Sequence, residues 1–123
     1  MKKILTSVKA PLPIGPYSVA VKYSNLIFTS CQIPIDRNGN ISEGSISEQT
    51  TLVIENLKSI LEENGSSLDN VLKTTVFLKD INDFAEMNKV YGEYFMESAP
   101  ARTTIEVSNL PKNAKIGIEL IAY

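Results

Sequence analysis

The sequence predicts an α+β domain: a mixed sheet of roughly six strands with two amphipathic helices packed on one face. Two observations carry this. Two stretches repeat their apolar residues at helical spacing, and six short β-branched or alternating stretches lie around them, separated by turn residues. A third, the length of 123 residues, confines everything to a single domain spanning 1–123 that should bury roughly two-thirds of its unfolded surface.

Lys2 to Thr6 reads as a short edge strand, and Pro11 to Pro16, with three prolines and Gly15, as a stiff irregular loop. Val19 to Tyr23 alternates Val19, Val21 and Tyr23 against Ala20 and Lys22, the period of a half-buried strand. Ser24-Asn25 supplies a two-residue turn and Leu26 to Ser30 returns as the second arm of a hairpin. A second tight turn is expected at Arg37-Asn38-Gly39-Asn40.

The first helix should begin near Ser45, where Ser45-Ile46-Ser47-Glu48 has capping-box spacing. Ile46, Thr50, Val53, Ile54, Leu57, Ile60 and Leu61 then share one face, and Asn64-Gly65 ends it. Val71 to Leu78 reads as a buried strand. The second helix follows Asp80 to Asp83, carries Phe84, Met87, Tyr91, Tyr94 and Phe95 on one face, and must end before Pro100. Thr103 to Val107 reads as a strand.

Ile116 to Tyr123 reads as the last strand. It sends Ile116, Ile118, Leu120 and Ala122 one way, and Gly117, Glu119, Ile121 and Tyr123 the other. Leu26 to Cys31 is also apolar on both sides. Two helices cover one sheet face, so the other is expected to meet further copies of the chain. Cover by loops is the alternative.

Composition removes several kinds of chemistry. There is no His, so imidazole bases, triads and His metal ligands are gone, and the one cysteine, Cys31, can form no internal disulfide or Cys-based metal site. A free thiol fits a reducing, cytoplasmic setting. Twelve Lys and Arg against fourteen Asp and Glu leave a net charge of −2, which gives no general pull toward nucleic acid or anionic membrane. The longest wholly apolar run is the four residues Leu120 to Tyr123, so no membrane span is expected. Met1 to Lys9 is basic without an apolar core, which argues against a signal peptide. Asn40-Ile41-Ser42 and Asn64-Gly65-Ser66 then read as turn chemistry rather than glycan acceptors. Gly-rich phosphate loops, G-x-S-x-G and acidic clusters of metal-ligand spacing are absent. No metal and no cofactor is expected.

A few side chains remain as candidates. Arg37 lies in the Asn-Gly turn and is expected in water. Arg102 follows Pro100-Ala101, so its planar fork should be presented to an anion from a constrained turn between the second helix and a strand; a salt bridge would use the same group. Glu119, set among apolar neighbours beside Gly117, is expected to be buried and poised for proton exchange, or paired at an interface. Tyr17 follows Gly15-Pro16, and its hydroxyl is aimed from a rigid loop or caps the hairpin. Asn88 falls between Phe84 and Tyr91 on the helix face, as a ligand or as a structural cross-link. Cys31 reads as small-hydrophobe packing, with no adjacent cation to activate it.

The order and spacing of several segments resemble the Rid family of reactive intermediate (enamine/imine) deaminases. They are Ala10-Pro11 through Ile14-Gly15-Pro16-Tyr17-Ser18, Ser30-Cys31-Gln32-Ile33-Pro34-Ile35-Asp36, Glu55-Asn56-Leu57-Lys58 to Leu61, and Val71 to Asp80. Asp83-Phe84 with Met87-Asn88, Pro100-Ala101-Arg102-Thr103-Thr104, and Leu110-Pro111-Lys112 to Ile118-Glu119 complete the set. The resemblance implies a chorismate-mutase-like fold and a homotrimer with three clefts between subunits. It implies hydrolysis of 2-imino acids such as 2-iminobutanoate and 2-iminopropanoate to 2-oxo acids and ammonia, without cofactor. By position, Arg102 would clamp the substrate carboxylate and Glu119 would hold or activate water. Tyr17, Ser30 and Asn88 would line the pocket, with backbone donors at Cys31 and Thr104. The family usually has Gly where this chain has Cys31, so the added thiol is expected to crowd the cleft. That crowding motivates an alternative, a non-catalytic regulator that binds 2-oxo acids in the same cleft. RNA cleavage, attributed to some members, fits poorly with the charge and the two arginines.

Overall fold

In the computed structural model, which describes residues 1–123, the strands are β1 (Lys3–Leu5), β2 (Ala20–Tyr23), β3 (Leu26–Thr29), β4 (Val71–Leu78), β5 (Ala101–Glu106) and β6 (Ile116–Ala122). They form one sheet in the order β1-β2-β3-β6-β4-β5. All pairs are antiparallel except β4 with β5, so the sheet is mixed. Two helices, α1 (Ile46–Glu63) and α2 (Phe84–Tyr94), pack together on one face.

The hairpin turn works because Ser24 takes a φ of 53°, the left-handed first position that suits strand twist. At the start of α1 the Ser45 hydroxyl accepts the Glu48 N–H at 3.2 Å. The Glu48 carboxylate accepts from the same hydroxyl at 3.4 Å rather than from the Ser45 backbone, so half of the expected box forms. The end of α1 is closed by Asn64, whose side chain donates to the carbonyls of Ile60 and Thr6, and by Gly65 at φ 81°.

The core lies between helices and sheet. Val53, Ile54, Leu57, Ile60 and Leu61 of α1 and Met87 of α2 are fully buried against Val76, Leu78, Ile116, Ile118, Leu120 and Ala122. Each large side chain of this set contributes about 1.5–3 kcal/mol by leaving water.

Two expectations about strands are corrected. The strand expected from Thr103 starts at Ala101, because parallel pairing with β4 begins at once after Pro100, with Lys73 opposite Ala101. Arg102 therefore belongs to a strand, not to a turn. In β2 the phase is the reverse of the one expected: Ala20 is buried and Tyr23 exposed. Register sets this, since Lys22 pairs with Ile27, whose side chain faces the helices, and Val21 pairs with the outward Phe28.

The other sheet face is left largely open, with loops of the chain reaching only part of it. Ile4, Phe28 and Ile105 are exposed on it, the first to 61%, beside the half-buried Val21, Phe77 and Ile121. Strands apolar on both sides are thus present, and one side is open.

Candidate functional site

On the open face a hollow of about 370 Å³ lies between the proline loop, the chain after β3 and the strands β4 and β6. Its walls include Leu12, Ile14, Tyr17, Cys31, Phe77 and Glu119. The proline loop is held by Gly15, whose φ of 146° few other residues adopt, and by the Tyr17 hydroxyl, which accepts the Ile14 N–H at 3.3 Å. The chain after β3 is pinned to β6 by Gln32, which exchanges both backbone bonds with Ile118 at 2.8 and 3.0 Å. That pairing lays Cys31 over Gly117. A Cβ at position 117 would stand 2.7 Å from Cys31 Sγ, so the missing side chain makes the room the thiol occupies.

Burial, and then the Glu119 charge, push the Cys31 thiol up to about 12. It is a neutral thiol at physiological pH and not a nucleophile. Glu119 itself is exposed, against the expectation of burial. Its face of β6 is the open one, so nothing in the same chain covers it. Ser30 does not line the hollow. Its hydroxyl donates to the Ser18 carbonyl at 2.6 Å and its N–H to Val19 at 2.9 Å, which fastens the loop base to the sheet.

Arg102 is elsewhere. It extends from the edge strand β5 on the helix side, with its guanidinium carbon 4.7 Å from the Tyr91 ring centre and 5.5 Å from that of Phe84. No carboxylate of its own chain pairs with it. Thr104, two residues along the same face, has a buried hydroxyl without a hydrogen-bond partner. Asn88 is half-buried on α2, four residues after Phe84 and three before Tyr91, hence on the same helix face.

The register shows why these groups stay apart. Arg102 pairs with Thr74 and Glu119 pairs with Thr75. Thr74 and Thr75 are successive residues of β4, so they and their partners point to opposite faces of the sheet. One chain thus carries its candidate residues in two separate groups: Tyr17, Cys31 and Glu119 on the open face, and Arg102, Thr104 and Asn88 on the helix side of the β5 edge.

Two supporting residues were given no role in the sequence reading. Gln49, buried in α1, donates to the carbonyls of Ser42 and Gly44 and accepts the Lys115 N–H. Asn56 donates to the Ile35 carbonyl at 3.0 Å. Both fasten the segment after β3 to the helix. Their signal was present, since positions 49, 53, 56 and 60 share the buried face, where a polar side chain needs a partner. No cluster of three or more His, Cys, Asp or Glu side chains converges for a metal ion. No helix is long and apolar enough to cross a membrane.

Comparison with known proteins places this architecture. Residues 7–123 match the family described as Endoribonuclease L-PSP. A RutC family protein of Pyrococcus abyssi is 59% identical over 99% of this chain and 97% of its own length. Reactive Intermediate Deaminase A, chloroplastic, of Arabidopsis thaliana is 42% identical over 98% of this chain, which spans 65% of that protein. A yeast protein of known crystal structure superposes with a TM-score of 0.97 at 43% identity, covering 99% of this chain and 98% of that one.

Proposed function

The chain belongs to the Rid family, with its chorismate-mutase-like α+β fold, and from that premise we propose that it hydrolyses 2-imino acids, such as 2-iminobutanoate and 2-iminopropanoate, to 2-oxo acids and ammonia. The observation that carries this reading is the pair of incomplete half-sites on opposite sheet faces. Three copies around an axis would set the β5 edge of each against the open face of the next. Each seam would then hold Arg102, Asn88 and Thr104 of one copy and Tyr17, Cys31 and Glu119 of its neighbour. The same contact would cover the apolar residues of the open face.

The chemistry follows from the groups. The in-plane N–H donors of Arg102 take the substrate carboxylate, and the partnerless Thr104 hydroxyl offers a further bond beside it. The protonated imine carbon then lies toward Glu119. That carboxylate accepts a proton from water as the oxygen adds to carbon, forming a carbinolamine. It returns the proton to nitrogen and then takes the hydroxyl proton as the C–N bond breaks, so that ammonia leaves while the C=O forms and the last proton passes to the ammonia as ammonium. Positioning and one carboxylate serve an addition this easy, and the step needs neither metal nor cofactor. The neutral Cys31 thiol takes no covalent part. Such an enzyme would act in the cytoplasm, where amino-acid metabolism releases imines.

A second reading is favoured by Cys31, whose thiol fills the floor of the hollow beside Glu119. The cleft would then bind 2-oxo acids without turnover. RNA cleavage, named in the family's description, has little support here: the chain has a net charge of −2, two arginines and no His.

A coupled assay separates these readings. An amino-acid oxidase generates the imine and its decay is followed by semicarbazide trapping. Acceleration supports the deaminase; binding of 2-oxobutanoate in calorimetry without acceleration supports the regulator. The shared site is tested by mixing chains. Arg102→Ala and Glu119→Gln proteins should each be severely impaired, while trimers formed from an equal mixture should recover about one quarter of wild-type activity, because that share of head-to-tail seams joins two intact halves. No recovery in verified mixed trimers would place the site within one chain and overturn the assignment.

A further inference from the structure

Arg102 stands at the sheet edge on a flexible side chain, yet a carboxylate clamp has to hold its fork still. A free arginine loses rotamer entropy on being fixed. The structure contains a device that fixes it beforehand. The guanidinium lies over two ring faces, Tyr91 at 4.7 Å and Phe84 at 5.5 Å, both within cation–π range. A cation held by ring faces commits none of its N–H groups to a particular acceptor, so the fork stays available to an anion.

The Tyr91 ring is itself anchored. Its hydroxyl bonds Thr74 Oγ1 at 2.7 Å, with both residues buried, and Phe95 packs behind it at 4.6 Å. Thr74 is the ladder partner of Arg102. The tether and the cation therefore start from neighbouring backbone positions on the same face, and the ring closes the loop between them. Phe84 supplies the second wall from one turn earlier on α2 than Asn88, and it is 39% exposed.

We infer that Phe84 and Tyr91, the latter anchored by Thr74, are positioning residues that pre-orient Arg102 for the carboxylate of the substrate. This rests on Arg102 being the clamp, as proposed above. It assigns specific work to an exposed phenylalanine and to a buried hydroxyl pair that a purely structural account would leave as core and surface.

The test turns on Phe84, because its exposure lets the substitution be made without opening the core. Phe84→Leu should weaken 2-oxobutanoate binding and raise KM about three- to fivefold, with kcat within twofold and thermal stability unchanged. Phe84→Trp, which offers a stronger ring face, should bind at least as tightly as wild type. Tyr91→Phe keeps the face but loses the Thr74 anchor, and should fall between wild type and Phe84→Leu. In an Arg102→Ala background Phe84→Leu should have no further effect on binding. If Arg102→Ala impairs binding but Phe84→Leu does not, or if the Phe84→Leu loss persists without Arg102, the positioning role is overturned while the clamp stands. If Arg102→Ala itself binds and turns over normally, the clamp is lost and this inference with it.

Discussion

Gly117→Ala tests the packing beneath the hollow, and its cost can be worked from distances. The added Cβ would lie 2.7 Å from Cys31 Sγ, about 0.8 Å inside ordinary contact. Its other neighbours, the Gln32 carbonyl oxygen at 3.5 Å and Ile33 Cγ2 at 3.6 Å, are tolerable. The backbone at Gln32 cannot retreat freely, because both its polar groups are bonded to Ile118. The thiol must rotate into the hollow or the strand must shift, and overpacking of this kind costs about 1–3 kcal/mol. Replacing a strand glycine returns about 0.5–1 kcal/mol of chain entropy. The net expectation is a loss of up to about 2.5 kcal/mol, or a Tm lower by as much as roughly 10 °C. With Cys31→Ala the clash is gone, and Gly117→Ala should become neutral or mildly stabilising. The assay is urea and thermal unfolding of the two single variants and the double variant, at one protein concentration because assembly contributes to stability. The expected coupling is about 1–3 kcal/mol. Additive effects would refute the claim that thiol and glycine share one space.

Two further outcomes follow from titration. With its thiol pushed up to about 12, Cys31 should react with iodoacetamide at pH 8 about a thousandfold more slowly than a free cysteine. Glu119→Gln should accelerate this only in part, because burial is the larger cause; rapid alkylation of the native protein, followed by mass spectrometry, would contradict the placement of the thiol. Asp36 has its carboxyl held below the ordinary 3.8, chiefly by the Asn40 N–H and also by those of Asn38 and Gly39. A lowered carboxylate gives its support above the ordinary value and loses it as pH falls through the folded one, so the 36–40 turn should stay closed at pH 4 and open below. An NMR titration of the Asn40 amide with its midpoint at or above 3.8 would show that the bonds do not hold in solution.

The helices were legible because their signals are local. Ser45 before Ile46, the run from Thr50 to Leu61, and Asn64-Gly65 are each read within a few residues, and all appear at those places. Strand existence was legible for the same reason, but strand facing was not. Which way Ala20 and Val21 point is decided by pairing with Thr29 and Phe28, not by their own alternation. Arg102 was placed in a turn because Pro100 dominates its neighbourhood, while its actual surroundings, Thr74 and Tyr91, lie 28 and 11 positions earlier in the chain. Glu119 was expected to be buried because its neighbours in sequence are apolar. Its exposure reflects something sequence pattern does not encode for a single chain, namely that the cover for this face is absent from it.

The separation of Arg102 from Glu119 has a physical advantage for the proposed chemistry. Even with β4 between their strands, an arginine and a glutamate on the same sheet face would stand only about 10 Å apart, near enough for their long side chains to meet as an ion pair. Such a pair would occupy the fork that must hold the substrate carboxylate, and the carboxylate that must take a proton from water. Placing one opposite Thr74 and the other opposite Thr75 prevents this within a chain, since the sheet stands between them. The aromatic faces then hold the cation without consuming its donors. In the proposed trimer a seam between copies would bring the two charges near, and there the bound anion and its water would separate them. The alternation of β4 would in this way keep both groups unspent until the assembled cleft holds a ligand.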